Sequence, residues 1–296
     1  MPAVRDLPRD AGFTEIADRI WVARHTWFDV NVSVVAGERG LLVIDTHASE
    51  LAARSVLEAL RQSVGGNVVA VLNTHEHFDH SFGNGAFRAA YPGVPLIAHE
   101  QAAARTVPAG ERVGRLYDAE PDDPHREEVQ STTIVPADTT FSSVHLVDLG
   151  DRVVELVHPG LGHTSGDVVA RVEDADVLFA GDLVEESAER GGVPGYGPDS
   201  HPMAWPLTLD LVLELVGDAT VVVPGHGNPV DREFVQEQRS AIGVVARTIG
   251  DLAGRGVPVD DALAAADWPY PREQLADAVR RGYAGLPRAA RHLPLI

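Results

Sequence analysis

Apolar and polar positions alternate in short runs through the first part of the chain, and this period of two predicts strands over 13–16, 20–24, 30–36 and 41–45. The turn Gly37-Glu38-Arg39-Gly40 separates the last two, so the four read as an antiparallel meander. Ser49 has the residue type of a helix N-cap, and Leu51, Val56, Leu57 and Leu60 recur at helical spacing, which predicts a helix from there through Leu60. A continuous apolar run over 68–72 predicts a buried strand that stops at Thr74-His75-Glu76-His77-Phe78-Asp79-His80. A helix over 83–90, a short strand over 95–98 and a helix from Glu100 follow. Between Pro108 and Pro136 the pattern dissolves into acidic, proline-rich sequence, which predicts a surface excursion and the boundary between two halves.

The second half repeats this scheme loosely. Strands are expected over 143–147, 152–157, 167–172, 177–180 and 220–223, with helices near 203–216, 233–252 and 272–283. Two strand-rich halves that each carry helices predict an α+β fold, two sheets face to face with helices outside. An amphipathic C-terminal helix is expected to pack on its own domain, with a homodimer contact as the alternative.

Composition narrows the chemistry. The 296 residues are 44% hydrophobic and 23% charged, as in ordinary globular proteins with material for a large core. Cysteine is absent, which removes disulfides, thiolate ligands and a thiol nucleophile, so any metal must be held by nitrogen and oxygen. The stretch 1–10 alternates charge and proline without the apolar run of a signal peptide or membrane span, and a cytoplasmic protein without a membrane partner is expected. The net charge is −20 and every basic residue is arginine. A surface this acidic repels phosphate backbones, so nucleic acid is not an expected partner and a small-molecule substrate is.

His75, His77, Asp79 and His80 place four metal-capable groups within six positions at a strand end. They cannot all enter an apolar core without costly unpaired polar atoms. Alternate residues of extended backbone share a side, so His75 and His77 suit one ion while Asp79 and His80 turn toward a second. Three more candidates follow predicted strands: His163 in Gly162-His163-Thr164-Ser165-Gly166-Asp167, Asp182 in Ala180-Gly181-Asp182, and His226 in Pro224-Gly225-His226-Gly227. Loops at strand ends are where sites assemble, and the glycines permit close backbone approach.

This pattern resembles the metallo-β-lactamase-fold hydrolase superfamily, with the His-x-His-x-Asp-His loop, later histidine, aspartate and final histidine in the family's order over about 13–229. The resemblance implies an αββα sandwich in a single domain, with its core over about 13–230 and a helical extension over 231–296. It implies a first metal on His75, His77 and His163, a second on Asp79, His80 and His226, and Asp182 bridging the two. The ligand set looks most like the glyoxalase II and lactonase branch; zinc β-lactamases commonly lack the aspartate or use cysteine.

Two zinc ions roughly 3.5–4 Å apart lower the pKa of a shared water to about 7, polarise a carbonyl and hold a leaving group. The expected function is hydrolysis of a small-molecule ester, thioester, lactone or lactam, with Asp79 orienting the water and accepting its proton. The alternative is a mononuclear iron dioxygenase of the persulfide dioxygenase type, with Fe2+ on His75, His163 and Asp182. A flavin-linked diiron reductase and a non-catalytic zinc protein are weaker readings. His25, His99, His125, His145 and His292 are expected to be structural or surface residues, while His47, His158 and Asp45 are candidates to orient ligand imidazoles. The glycine- and proline-rich stretch 191–202 and the Trp27-Phe28 tip are expected to wall the substrate site, with Tyr196, His201 and Trp205 as contacts.

Overall fold

The computed structural model describes residues 6–286, and its strands form two sheets. The first runs, in spatial order, β1 (Thr14–Ala17), β2 (Ile20–Arg24), β3 (Asn31–Gly37), β4 (Gly40–Ile44), β5 (Val68–Leu72), β6 (Leu96–His99) and β7 (Thr139–Phe141). The second contains β8 (Val144–Asp148), β9 (Val153–Val157), β10 (Val169–Val172), β11 (Val177–Glu185) and β12 (Val221–His226), ordered from β12 at one edge to β8 at the other. The first four strands are the expected antiparallel meander.

From β4 to β7 the pairing is parallel. Parallel neighbours cannot be joined by a tight turn, so each connection carries helices. These are α1 (Glu50–Ser63), α2 (Phe78–Ser81) with α3 (Asn84–Ala90), and α4 (Glu100–Ala119) with α5 (Arg126–Ser131). The second half adds α6 (Trp205–Glu214), α7 (Arg232–Gly254), α8 (Val259–Ala262) and α9 (Ala276–Gly285).

Side-chain alternation builds the layers. In β4, Leu42 and Ile44 face the space between the sheets and meet Leu156, Ala170 and Phe179, while Leu41 and Val43 face α1 and α3 with Leu57, Leu60 and Phe87. In β11 and β12, Phe179 and Val223 face inward, whereas Leu178 and Val222 meet Trp205, Leu209, Ile242 and Ile249 of the opposite helices. The order is helix, sheet, sheet, helix: the α+β αββα sandwich.

The structure corrects three boundaries. The stretch 108–136 is largely helical: α4 runs through Pro108, and α5 follows. The proline removes only the bond to the carbonyl of Ala104, an exposed residue, while Thr106, Ala109 and Gly110 stay buried on the other face. The second difference is β7, a three-residue edge strand too short to show a period; it moves the division between the sheets to 142–143. Third, β11 continues past Ala180 to Glu185, with a register shift against β12 at Gly181, which takes φ 52°.

This topology positions a site. The carboxyl ends of the parallel strands β4, β5, β11 and β12 lie at one end of the sandwich, where ligands bind in such sheets. Asn31 ties the sheets together there, its Nδ2 donating to the carbonyls of Pro224 (3.0 Å) and Gly227 (2.8 Å). Among the described residues no helix is long and apolar enough to cross a membrane. Residues 1–5 of the N-terminal stretch and 287–296 of the expected helical extension lie outside those described.

Candidate metal centre

All seven sequence-selected residues meet at this end of the sandwich. His75 follows β5, His77 occupies the N-cap position of α2, and the single turn of α2 presents Asp79 and His80. Ser81 Oγ donates to the His77 carbonyl at 2.9 Å and tightens that turn. Asp182 lies within β11, and His226 ends β12. His163 stands on the β9–β10 loop, which Asp167 closes by accepting from Thr164 N and Oγ1 (2.7 Å to the hydroxyl). Every one of the seven is buried except His77, which is half-buried.

Two triads result. The ligand atoms of His75, His77 and His163 lie within 4.8 Å of one another, as do those of Asp79, His80 and His226. Asp182 stands between them: its Oδ1 is 3.2 Å from His80 Nε2, and its Oδ2 is 3.1 Å from His226 Nε2, 3.5 Å from His163 Nε2 and 3.9 Å from His75 Nε2.

The outward nitrogen of each imidazole has its own acceptor. His77 Nε2 donates to Asp199 Oδ2 (3.1 Å), His163 Nδ1 to the Gly195 carbonyl (2.8 Å), His80 Nδ1 to Asp45 Oδ2 (2.8 Å) and His226 Nδ1 to the Phe28 carbonyl (2.7 Å). His75 Nδ1 meets Thr74 Oγ1 at 3.1 Å, and that hydroxyl donates to Asp45 Oδ2 at 2.8 Å. Asp45 therefore supports one imidazole in each triad, directly at His80 and through Thr74 at His75. Phe28 reaches its position with φ 63° and Asp29 with φ 56°, and Arg24 holds Asp29 through Nε (2.6 Å) and Nη2 (2.9 Å).

These acceptors fix the tautomers, and the tautomers test whether a cation fits. With their protons directed outward, His77 Nδ1 and His163 Nε2 present lone pairs to each other at 2.8 Å, and His80 Nε2 and His226 Nε2 do so at 3.2 Å. Facing lone pairs repel unless a proton or a metal lies between them. His75 Nε2 and Asp182 Oδ1 are also buried without a hydrogen-bond partner. Nitrogen and carboxylate donors so placed fit a borderline divalent ion.

The electrostatics agree. Burial holds His75 well below the usual imidazole range, which is the neutral form a metal needs. At Asp182, burial opposes ionisation, but His226, His80 and His75 outweigh it and hold the carboxyl well below its usual range. Burial likewise opposes charge on His226, and Asp182 and Glu185 overcome it to lift that imidazole to about 9. The buried carboxylates thus draw positive charge to this spot, as protons or as a metal.

A cavity of about 610 Å³ opens over the cluster, lined by His77, Asp79, His163 and Asp182 together with Phe28, Tyr196 and Asp199. Other expected contacts lie elsewhere. Trp205 is fully buried in the core, its indole N–H donating to the Leu183 carbonyl at 3.2 Å and its ring packed 5.9 Å from that of His163. His201 Nε2 pairs with Ser165 Oγ at 2.8 Å, and Trp27 stacks on His125 at 3.8 Å beside a neighbouring groove. His47 packs on His25, and His158 donates to the Asp167 carbonyl while stacking on His99; Asp45 is the one of the three candidates bonded to an imidazole of the cluster. His292 lies outside the described residues.

Sequence reasoning placed Phe28, Gly195 and Asp199 in the expected substrate walls, where they line the cavity, but gave none of them a bond to an imidazole. Nothing local marks them, because each becomes a partner only through a contact across 32 to 198 residues of chain. Glu185 was also unremarked: fully buried, it forms a further acid and imidazole cluster with Asp182 and His226.

The family model described as the metallo-beta-lactamase superfamily matches residues 25–226. The chain is 29% identical over 231 residues to the human acyl-coenzyme A thioesterase MBLAC2, covering 72% of this chain and 74% of that protein. It is 39% identical over 93 residues to the hydroxyacylglutathione hydrolase of Polaromonas sp., covering 30% and 32% of the two chains. Among solved structures, a metallo-beta-lactamase from Pontibacter korlensis matches with a TM-score of 0.63 at 23% identity, over 78% of this chain and 98% of that one.

Proposed function

Because the chain belongs to the metallo-beta-lactamase superfamily, we propose that it hydrolyses an ester, thioester, lactone or lactam bond of a small molecule at a two-zinc site. His75, His77 and His163 would hold one ion, Asp79, His80 and His226 the other, with Asp182 shared. The observation that carries this reading is the place of Asp182, whose two oxygens face imidazoles of both triads. A mononuclear iron site would need only His75, His163 and Asp182, and would leave the buried Asp79, His80 and His226 triad without a purpose. The relatives named thioesterase and hydroxyacylglutathione hydrolase support an acyl bond and favour the glyoxalase II-like branch.

Two zinc ions would lower the pKa of water to about 7, polarise the scissile carbonyl and stabilise the oxyanion. The chain supplies the rest. Asp79 lines the cavity with its Oδ2 3.4 Å from His226 Nε2, placed to orient the attacking water and take its proton. Water adds across the acyl bond: the C–O, C–S or C–N bond breaks, the acyl carbon keeps the water oxygen, and the leaving atom receives the proton. The outward hydrogen bonds keep the imidazoles from rotating, so ordering is not required at the moment of reaction.

The test is metal content by mass spectrometry, followed by a panel of S-lactoylglutathione, an acyl-homoserine lactone, a cephalosporin and a phosphodiester. Two zinc per chain with turnover of one of the first three is the expected result. One iron per chain, or zinc-replete protein inert toward all three, overturns it.

A further inference from the structure

The cavity over the cluster is apolar on its walls and carries an arginine at its rim. Its lining brings Phe28 and Phe78 together with Val113 and Leu116 of α4 and with Val193 and Tyr196 of the 193–199 loop. Its volume, about 610 Å³, is that of a small-molecule site, far larger than a water needs. Among the described lining residues, Arg112 is the only cation other than histidine. It makes one ion pair, Nη2 to Asp199 Oδ2 at 3.3 Å, and its side chain remains 48% exposed. Most of the five N–H donors of its guanidinium are therefore open to a second anion. Leu116, one turn further along α4, is 62% exposed at the same rim and continues the apolar wall outward. In a chain of net charge −20, an arginine at the mouth of an apolar cavity floored by His77, Asp79, His163 and Asp182 is a selective feature rather than background.

Resting on the hydrolase reading above, we propose a substrate class for this site: acyl compounds in which the scissile ester or thioester carbonyl is joined through an apolar segment of several carbons to a carboxylate or phosphate. The carbonyl meets the metal cluster, the apolar segment lies between α4 and the 193–199 loop, and the anion pairs with Arg112. The anion resides on either the acyl or the leaving half, and the assay separates the two.

Thioesters of increasing acyl length are prepared with a neutral thiol, with a thiol bearing a carboxylate, and as ω-carboxyacyl thioesters of the neutral thiol. Released thiol is read without background, because the chain has no cysteine. In the zinc-loaded protein, kcat/KM should rise about fourfold per methylene until the cavity is filled, the factor equivalent to ~0.8 kcal/mol per buried methylene. One of the two anionic series should exceed the neutral series by about tenfold, and Arg112→Gln should abolish that excess, read as the ratio of anionic to neutral rates within the same zinc-loaded variant. Arg112→Lys should retain most of it. Calorimetry on the protein as purified, with suberate against octanoate, gives a readout independent of turnover: suberate, with a second carboxylate for Arg112, should bind more tightly, and Arg112→Gln should remove the difference. Rates indifferent to chain length, or an Arg112→Gln loss shared equally by neutral and anionic thioesters, overturn the proposal and leave hydrolysis standing. Suberate selectivity lost in Arg112→Gln, without hydrolysis of any thioester, acyl-homoserine lactone or cephalosporin, upholds it as a binding preference and overturns the hydrolase reading instead.

Discussion

The Asp45 carboxylate lies 2.8 Å from His80 Nδ1, and this contact determines that His80 turns Nε2 toward Asp182. The same Asp45 oxygen accepts from Thr74 Oγ1, the neighbour of His75 Nδ1, and the other accepts from Thr74 N at 2.8 Å. Asp45 adopts φ 62° to reach this position, a conformation that costs a non-glycine residue energy and persists where surrounding contacts enforce it. Asp45→Asn keeps the shape but offers His80 a donor where it needs an acceptor. Zinc affinity should fall by about 10- to 100-fold at both sites, measured by stepwise competition with a chromogenic chelator. Unchanged affinity at either site would contradict the shared support.

Asp199 supports only the first triad, through His77 Nε2 at 3.1 Å. Asp199→Asn should therefore weaken one of the two zinc steps by about 10- to 100-fold and leave the other intact. The same chelator competition resolves the two steps. Equal weakening of both would mean that the 193–199 loop acts on the whole cluster rather than on His77.

The seven residues of the cluster were legible in the sequence because metal-capable residue types are concentrated at strand ends. His75, His77, Asp79 and His80 fall within six positions, and their order with His163, Asp182 and His226 survives without any structure. Asp45 was visible as a carboxylate at the end of a predicted strand, but its choice over His47 and His158 depends on φ values and on the crossover to α1. Asp199 and the carbonyls of Phe28 and Gly195 leave no local trace, since any residue supplies a carbonyl and the pairing is set by how the loops return. The fold shows the same division. The strands expected over 20–24 and 68–72 are located to the residue, and those over 30–36 and 41–45 to within one. The helix through Pro108 is not, because the buried face of α4 outweighs the local preference of proline.

His25 and His47 pack 4.4 Å apart, and burial holds His25 down to about 4 against the opposing pull of Asp10. The unfolded chain titrates this group near 6.5. Between those values the unfolded state binds a proton that the folded state does not, so stability present above 6.5 is lost as pH falls toward 4. The slope for one such group is at most ~1.4 kcal/mol per pH unit. His25→Gln should flatten the fall in denaturant-derived stability from about pH 7 to about pH 5 by up to that amount. A slope identical to that of the unsubstituted protein would show that His25 titrates freely when folded.

Removing metal should destabilise the fold as well as abolish turnover. Stripped of cations, the two triads leave facing imidazole lone pairs and buried carboxylates to take up protons. Zinc at about 100 times its dissociation constant adds ~2.7 kcal/mol by mass action, or roughly 5 °C in Tm for a chain of this size. Chelator-treated protein titrated with zinc in a calorimeter should recover that interval. A Tm indifferent to zinc would remove the cluster from the energetics of the fold.

Gly225 gives the sharpest test of how the strands make the site. A Cβ there would lie 1.9 Å from Asp182 Oδ1, a distance real side chains essentially never show, and a tight 3.0 Å from the Gly181 carbonyl carbon. The close approach of β12 to β11 is thus what lets the Asp182 carboxylate stand between His80 and His226. Gly225→Ala can be accommodated only if Asp182 swings away or the strand ends separate. Either movement takes the shared carboxylate out of both triads while the core contacts of Val222 and Val223 remain. The variant should fold, with a Tm lowered by a few degrees for ~1–3 kcal/mol of overpacking. Its zinc content should fall below two per chain, and its kcat should drop by about 100-fold or more, since a shift of this size misplaces reacting groups. Full zinc content with unimpaired turnover would mean that Asp182 is dispensable, and with it the two-metal assignment.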